Sequence, residues 1–491
     1  RAEEGVVSCR RAVALKPDFA EAYSNLGNAL KSLGQFDEAA ACYRKAIALK
    51  PDLTEAHSNL GLLLQQVGKY QEADTCYRRA LDCNPDYADA HNNLGTVLNL
   101  SGQYDKAMAC YRRAIELKPN YAEAFMNYGG SLKELGRLQE SLGYIRRAIE
   151  INPDYQQAYN NLLFIHNYLG DQPAEALLAD ARRYGELVAR QARPFSSWPN
   201  PPDPKRRLRV GLVSGDLCNH PVGYFLVGVL EALTSQATGR LELFAYANRP
   251  GDDETGRRIR ACCRGWRSVM GLSDELLARH IREDGIDILI DLSGHTAHSR
   301  LAVFAWRPAP VQVSWLGYFA TTGVAEMDYF IADPWTLPPS EEAQFTEKVW
   351  RLPETRLCFT PPEAKVDVGP LPALAKGYVT FGCFNNLTKM NDAVVALWAR
   401  ILNGVPDSRL FLKSQQIREA AVRLELATRF AAHGIAPDRL ILEDYVPRAN
   451  YLAAYQRVDM ALDPFPYPGG TTTVEALWMG VPVLTLSGER F

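Results

Sequence analysis

Apolar, small and polar positions in the first third of the chain return every 34 residues. Prolines stand at Pro17, Pro51, Pro85, Pro119 and Pro153. Glycines stand at Gly27, Gly61, Gly95 and Gly129, with a second series at Gly34, Gly68, Gly102 and Gly136. Ala39, Ala73 and Ala107 keep the step, with Ser141 at the next place. The unit "NLGNALKSLGQFDEAAACYRKAIALKP" predicts paired helices: small residues let the two approach, and proline closes each unit before the next begins. Beyond residue 206 the pattern changes. "RLRVGLVSGD", "LELFAYA", "IDILIDLSG", "VQVSWLGY" and "MDYFIAD" read as short buried strands. Helical or loop segments part them, such as "HPVGYFLVGVLEAL" with Phe225, Val229 and Leu230 at helical spacing. A second series, "YVTFGCFN", "SRLFLKS", "RLILEDY", "VDMALD" and "VPVLTL", follows with helices such as "DAVVALWARIL" between.

A period of 34 with paired helices is the tetratricopeptide pattern, an α-solenoid whose stacked units leave an extended concave surface. Asn25, Asn59, Asn93, Asn127 and Asn161 keep the same step on the first helix of each unit. A column of amides that both donate and accept can hold an extended peptide backbone whatever its sequence. The same asparagines can also bond within their own repeats. The alternation of strands and helices predicts two parallel, doubly wound α/β lobes, with ligands at the carboxyl ends of the strands and in the cleft between lobes. The expected layout is repeats at 1–170, a helical connector and proline-rich join at 171–206, a first lobe at 207–360 and a second at 373–491. The connector "QPAEALLADARRYGELVARQA" starts where the period is lost at Asp171, and the join carries Pro194, Pro199, Pro201, Pro202 and Pro204. The chain starts at Arg1 without methionine and stops at Phe491 in mid-pattern, so it reads as a fragment.

With 54 basic and 57 acidic residues in 491, a net charge of −3 offers no basic field for nucleic acid or anionic membrane. No apolar run of membrane-spanning length and no signal-peptide pattern is present. The ten cysteines form no CxxC pair and no zinc spacing, and Cys42, Cys76 and Cys110 are repeat positions, small and buried. A reduced, cytoplasmic setting is expected. The oligomeric state is not legible.

Candidate chemistry gathers at predicted strand ends. In "FPYPGGTTTVEALWMG", Gly469 and Gly470 precede Thr471, Thr472 and Thr473 at a helix start, which suits either a phosphate cradle or an ordinary cap. His220 precedes Pro221 at another helix start, where an imidazolium is disfavoured, so it should be neutral near pH 7; it suits a proton acceptor or a simple cap. Lys389 follows "YVTFGCFNN" and suits a phosphate partner or a solvated surface position. His295 and His298 in "GHTAHSR" end a strand without metal spacing, and no DxD motif is present, so no metal is expected.

The motifs "GDLCNHP", "GHTAHSRLAVFAWRPAPVQVSWLGY", "GCFNNLTK" and "FPYPGGTTTVEALWMGVPVLT", behind tetratricopeptide repeats, closely resemble the protein O-glycosyltransferases of the O-GlcNAc transferase and SPINDLY type. The resemblance covers nearly the whole chain. It implies a GT-B catalytic region and inverting transfer of a sugar from a nucleotide donor to protein Ser or Thr, with no cofactor beyond the donor. It further implies His220 as the active-site histidine, Asn386 and Lys389 near the diphosphate with Lys389 stabilising the leaving group, and Thr471 and Thr472 as phosphate-binding threonines. Glu475 would hold the ribose hydroxyls, and Val446 and Tyr451 would form the base-binding segment, where a ring stacks on the nucleobase. Four positions depart from the O-GlcNAc transferases: Phe319–Ala320 in place of Pro–Gly beside the sugar, Gly470 in place of a histidine, and Ala454 in place of an arginine. "TFGCFNNLTK" and "DPFPYPGGTTT" look closer to SPINDLY, whose donor is GDP-fucose. UDP-GlcNAc is the leading expectation and GDP-fucose the alternative; a peptide-binding scaffold with inactive lobes is a third. The family continues past "GERF" with further helices.

Overall fold

The computed structural model describes residues 2–170, 173–203, 205–237, 239–249 and 252–487. Asp171, where the period ends, Pro204 in the join, and the final "GERF" lie outside them. The chain forms two compact units, 1–153 and 154–491.

The first unit is a stack of helices: α1 (Ala2–Leu15), α2 (Ala20–Ser32), α3 (Phe36–Leu49), α4 (Thr54–Gln66) and α5 (Tyr70–Cys83). It continues with α6 (Ala88–Leu100), α7 (Tyr104–Leu117), α8 (Ala122–Glu134) and α9 (Leu138–Ile151). The two glycine series have different physical causes. A Cβ on Gly27, Gly61 or Gly95 would lie 2.6–2.7 Å from the buried ring of Tyr43, Tyr77 or Tyr111 on the partner helix, so only hydrogen fits there. In the fourth repeat Ile145 takes the place of the tyrosine against Gly129. Gly34, Gly68, Gly102 and Gly136 end the first helix of each pair with φ of 74–81°, left-handed backbone that glycine adopts without strain. Each tyrosine hydroxyl is satisfied, Tyr43 donating to Asn28 Oδ1 at 2.7 Å and Tyr77 to Gln65 Oε1 at 2.9 Å. Cys42, Cys76 and Cys110 pack half-buried against this core. Among the described residues no helix is long and apolar enough to cross a membrane.

The second unit opens with α10 (Gln156–Tyr168) and α11 (Ala174–Gln191). The 34-residue period runs on through Asn161, yet α10 belongs to this unit. A parallel seven-stranded sheet follows, in the order β3-β2-β1-β4-β5-β6-β7. Its strands are β1 (Leu208–Ser214), β2 (Leu241–Ala247), β3 (Gly265–Ser268), β4 (Ile288–Asp291), β5 (Val311–Ser314), β6 (Tyr329–Ala332) and β7 (Lys348–Arg351). Crossover helices α12 (Pro221–Gln236), α13 (Glu254–Cys262) and α14 (Asp274–Glu283) join the first four. β3 and β7 escape the sequence pattern because both are four-residue edge strands with little burial. A second parallel sheet runs β10-β9-β8-β11-β12. It contains β8 (Thr380–Cys383), β9 (Arg409–Lys413), β10 (Leu440–Glu443), β11 (Met460–Leu462) and β12 (Val483–Leu484). Its helices are α15 (Pro372–Lys376), α16 (Asp392–Gly404), α17 (Ala420–Ala431), α18 (Arg448–Ala453) and α19 (Thr471–Trp478). The segment joining the sheets is fastened to α12: Thr360 N–H donates to Tyr224 O at 3.3 Å, and Thr360 Oγ1 accepts from Gly228 N–H at 3.2 Å.

Strand order reverses between β1 and β4 in the first sheet and between β8 and β11 in the second. Loops leaving the carboxyl ends of neighbouring strands diverge at such points and open a crevice. His220 follows β1, His295 and His298 follow β4, Lys389 follows β8, and the threonine cluster follows β11.

Candidate active site in the two-lobed unit

In the second lobe one amide oxygen gathers the site. Asn385 Oδ1 accepts from Lys389 Nζ at 3.0 Å and from Thr472 Oγ1 at 3.0 Å, so the loop after β8 and the start of α19 meet there. Lys389 Nζ also donates to Pro468 O at 2.8 Å and lies 4.8 Å from the ring centre of Tyr467. Burial pushes the ammonium down to about 8, against the carboxylate of Asp463, which raises it. Lys389 is therefore a held, half-buried cation and not a solvated surface lysine. Asn386, the neighbour that the sequence singled out, is exposed and caps the turn that carries Lys389, accepting from Thr388 N–H at 2.9 Å.

Of the two glycines only Gly469 is closely packed, since a Cβ on Gly470 would meet nothing within 4 Å. Gly470 has φ −105°, open to any residue, and is the residue before α19. A Cβ on Gly469 would lie 2.5 Å from the hydroxyls of both Thr472 and Thr473 and 2.8 Å from Asp463. The Gly469 N–H donates to Asp463 Oδ1 at 2.7 Å. What remains for an anion is the first turn of α19, opened by Thr471 and Thr472, with Lys389 beside it.

Glu475 is 1% exposed and paired with Arg448, which also covers the Tyr224 ring of the first lobe at 4.6 Å. Burial raises the Glu475 pKa, opposed by Arg448. Tyr451, expected in the base-binding segment, is 9% exposed, with edge-to-face contacts to Phe384 at 5.6 Å and Tyr455 at 5.9 Å. The open ring in this segment is Tyr445, 56% exposed, while Val446 packs half-buried on the same core. Alternating contacts of this kind do not show in the letters "DYVPRANY".

In the first lobe His220 caps α12, with Pro221 at the first helical position. Its Nδ1 accepts from Val222 N–H at 3.3 Å and lies 3.8 Å from Asp216 Oδ2. Burial lowers its pKa, opposed by Asp216 and aided by Arg249 and His298. With Nδ1 accepting, the neutral ring carries its proton on Nε2 and presents a donor to the cleft. His295 is buried and structural: Nδ1 meets Asn160 Oδ1 at 2.7 Å and Nε2 meets Thr322 O at 2.9 Å. α10 touches both lobes, since Asn167 Nδ2 donates to Tyr318 Oη at 2.9 Å and Tyr168 packs edge-on against Tyr467 at 5.0 Å. Phe319 is buried, with the Arg356 guanidinium 3.7 Å from its ring centre. Among the described residues no cluster of His, Cys, Asp or Glu is arranged to hold a metal.

In the first unit α2 touches α4, α4 touches α6 and α6 touches α8, so Asn25, Asn59, Asn93 and Asn127 occupy equivalent places along one row. Asn25 is exposed and the others half-buried. Part of the amide capacity is used internally: Asn127 Nδ2 donates to Asn92 Oδ1 at 2.9 Å, and Asn93 Oδ1 accepts from Asn92 Nδ2 at 3.3 Å. Asn161, on α10 of the second unit, donates to Gln157 O at 3.2 Å.

Residues 187–359 and 370–491 match glycosyl transferase family 41, and four overlapping stretches between residues 8 and 156 match tetratricopeptide repeats. The chain is 39% identical over 336 residues to the Petunia hybrida protein described as "Probable UDP-N-acetylglucosamine--peptide N-acetylglucosaminyltransferase SPINDLY". That match takes in 67% of this chain and 36% of the relative, so the chain spans about a third of the plant protein. It is 33% identical over 297 residues to the corresponding Arabidopsis thaliana protein described as SEC, covering 58% of this chain and 30% of that one. A solved structure of a mutant Thermobaculum terrenum O-GlcNAc transferase superposes with a TM-score of 0.83 at 38% identity, over 89% of this chain and 83% of that one. The chain belongs to glycosyl transferase family 41, with tetratricopeptide repeats preceding its paired parallel sheets.

Proposed function

We propose that the chain is an inverting, metal-independent protein O-glycosyltransferase of GT-B architecture. It moves GlcNAc from UDP-GlcNAc to Ser or Thr of cytoplasmic proteins whose extended segments lie along the asparagine row. The observation that carries this reading is the meeting of Lys389, Asn385 and Thr472 at the start of α19. A cation, a hydroxyl and a helix N-terminus stand together where a departing nucleoside diphosphate needs its charge spread. Asn386 and Thr471 flank that position, Glu475 and Arg448 stand on the ribose side, and Val446 with Tyr445 on the base side. His220 faces them across the cleft as a donor. GDP-fucose is the second reading. It is favoured by the buried Phe319 under Arg356, a bulky aromatic where an N-acetyl group would otherwise be housed.

Incubating the chain with host lysate and either UDP-GlcNAc or GDP-fucose, then reading Ser/Thr peptides by mass spectrometry, separates the donors by the mass added. Absence of transfer with both turns the test to other donor sugars first, and failure to bind any nucleotide favours the peptide-binding scaffold. Replacing Asn25, Asn59, Asn93, Asn127 and Asn161 by alanine together should raise the acceptor KM by about tenfold or more, as each lost hydrogen bond is worth about 0.5–1.5 kcal/mol. Donor hydrolysis without acceptor should stay unchanged. An unaltered acceptor KM would mean that these amides serve only the repeats.

A further inference from the structure

Among the described residues, Lys389 Nζ rests on three supports, and two of them belong to one loop. These are the Pro468 carbonyl at 2.8 Å and the Tyr467 ring, whose centre is 4.8 Å away. The third is Asn385 Oδ1 at 3.0 Å. The path of Pro466, Tyr467 and Pro468 therefore decides where the ammonium lies. Both ends of this loop are tied within the second lobe, Phe465 O accepting from Asn391 Nδ2 at 2.9 Å and Gly469 N–H donating to Asp463 Oδ1 at 2.7 Å. Its middle meets a different element, the end of α10. The Tyr168 ring stands edge-on to the Tyr467 ring, with centres 5.0 Å apart and planes at 64°. A Cβ on Gly170, just beyond the helix, would lie 3.5 Å from Pro466 Cγ, an ordinary contact distance. α10 is in turn fixed on the first lobe. Asn160, Phe164, Asn167 and Tyr168 follow helical spacing and share one face. Asn160 Oδ1 meets His295 Nδ1 at 2.7 Å, Asn167 Nδ2 donates to Tyr318 Oη at 2.9 Å, and the Phe164 and Tyr318 rings lie 6.4 Å apart. Tyr168 is 5% exposed and its ring also meets Phe164 edge-on at 5.2 Å, which fixes its tilt. One helix face thus grips the first lobe and ends on the loop that carries the Lys389 ammonium.

We propose that Tyr168 is a positioning residue for the leaving-group cation, holding the Tyr467 ring and its loop against the Lys389 ammonium; this rests on the glycosyltransferase reading. An aromatic ring attracts an ammonium most where water is excluded, and the attraction is lost once the ring turns away. Tyr168 touches no reacting atom in this assignment. It acts through Tyr467 and Lys389, as the bond between sugar and diphosphate breaks and negative charge gathers on the departing nucleotide. Its effect should therefore exist only while Lys389 is present.

The test uses the full chain with whichever nucleotide sugar the wild type consumes. Tyr168→Leu keeps an apolar filling and removes the ring edge. Tyr168→Met, whose flexible side chain adapts to the space but offers no ring, is the second variant should the leucine fail to fold. Either should lose about tenfold in kcat, the scale of an aromatic contribution to a desolvated ammonium, with the acceptor KM unchanged. Tyr168→Phe keeps the ring and should stay within about twofold of wild type. A double-mutant cycle separates positioning from general support of the fold. Added to Lys389→Ala, the Tyr168 substitution should cost no further rate, because the cation that it positions is gone. Wild-type kcat without the Tyr168 ring, or a loss that adds in full to that of Lys389→Ala, overturns the proposal. A wild-type chain that consumes no nucleotide sugar overturns the glycosyltransferase reading itself, and this assignment with it.

Discussion

Lys389→Ala should cut sugar transfer by about 10²–10³-fold, the usual cost of removing a charge aimed at a developing anion. The loss should fall on kcat, because the diphosphate gains its full negative charge only as the bond to the sugar breaks. Near-normal turnover would remove Lys389 from the mechanism. The same residue sets an alkaline limit. Its ammonium titrates near 8, pushed down by burial, so the charged form fades as pH rises through that value. Turnover by the free enzyme should therefore decline above pH 8, and a bound diphosphate, which favours the ammonium, should draw in a proton there. Calorimetry at about pH 8.5 in buffers of different ionisation enthalpy reads that uptake directly. The stability effect has the opposite sense. Because the folded-state pKa lies below the ordinary lysine value, the folded protein bears the cost of the buried charge at lower pH and is relieved of it as pH rises from about 8 towards 10.5. Lys389→Ala should consequently unfold no earlier than wild type at pH 7, which separates loss of chemistry from loss of fold.

Tyr77→Ala should destabilise the repeat stack by about 3–5 kcal/mol, the range for emptying a fully buried aromatic site. The ring has no exposed surface, lies against the bare backbone of Gly61 and anchors its hydroxyl on Gln65. Neighbouring helices cannot collapse into the gap without losing their own contacts with Tyr43 and Tyr111, which repeat the arrangement one unit to either side. Tyr77→Phe should cost only about 1 kcal/mol, since it keeps the ring and removes one hydrogen bond. Denaturant unfolding followed by helix content measures both, and equal losses in the two variants would show that the hydroxyl, not the ring, holds the helices together.

Much of this architecture is legible in the letters because it depends on local rules. Prolines and two kinds of glycine mark each helix pair, and continuous apolar runs mark ten of the strands. His220, Lys389 and Thr472 are legible because strand-to-helix turns carry chemistry. What is not legible depends on three-dimensional neighbours. Asn385 and Asn386 are adjacent and identical in kind, and only the fold turns the first towards Lys389 and Thr472. A likeness to other chains aligns Tyr451 with a base-binding segment, but burial against Phe384 is a property of packing. The partnership of Glu475 with Arg448 joins residues from two helices, and the seat of His298 on Gly215 joins loops far apart in the chain. The repeat period likewise identifies α10 as a repeat helix without revealing that it packs with the sheets.

Thr360 has a mechanical meaning. It grips the backbone of α12 at both Tyr224 and Gly228, and α12 begins at His220. Thr360 belongs to the only stretch of chain connecting the two sheets in sequence. The chain between Thr360 and α15 holds no helix or strand, so the clasp fixes the start of the strap to the first lobe and leaves motion between the sheets to the residues beyond it. The clasp thus acts as a fixed anchor, tying the root of the inter-sheet strap to the helix that begins at His220.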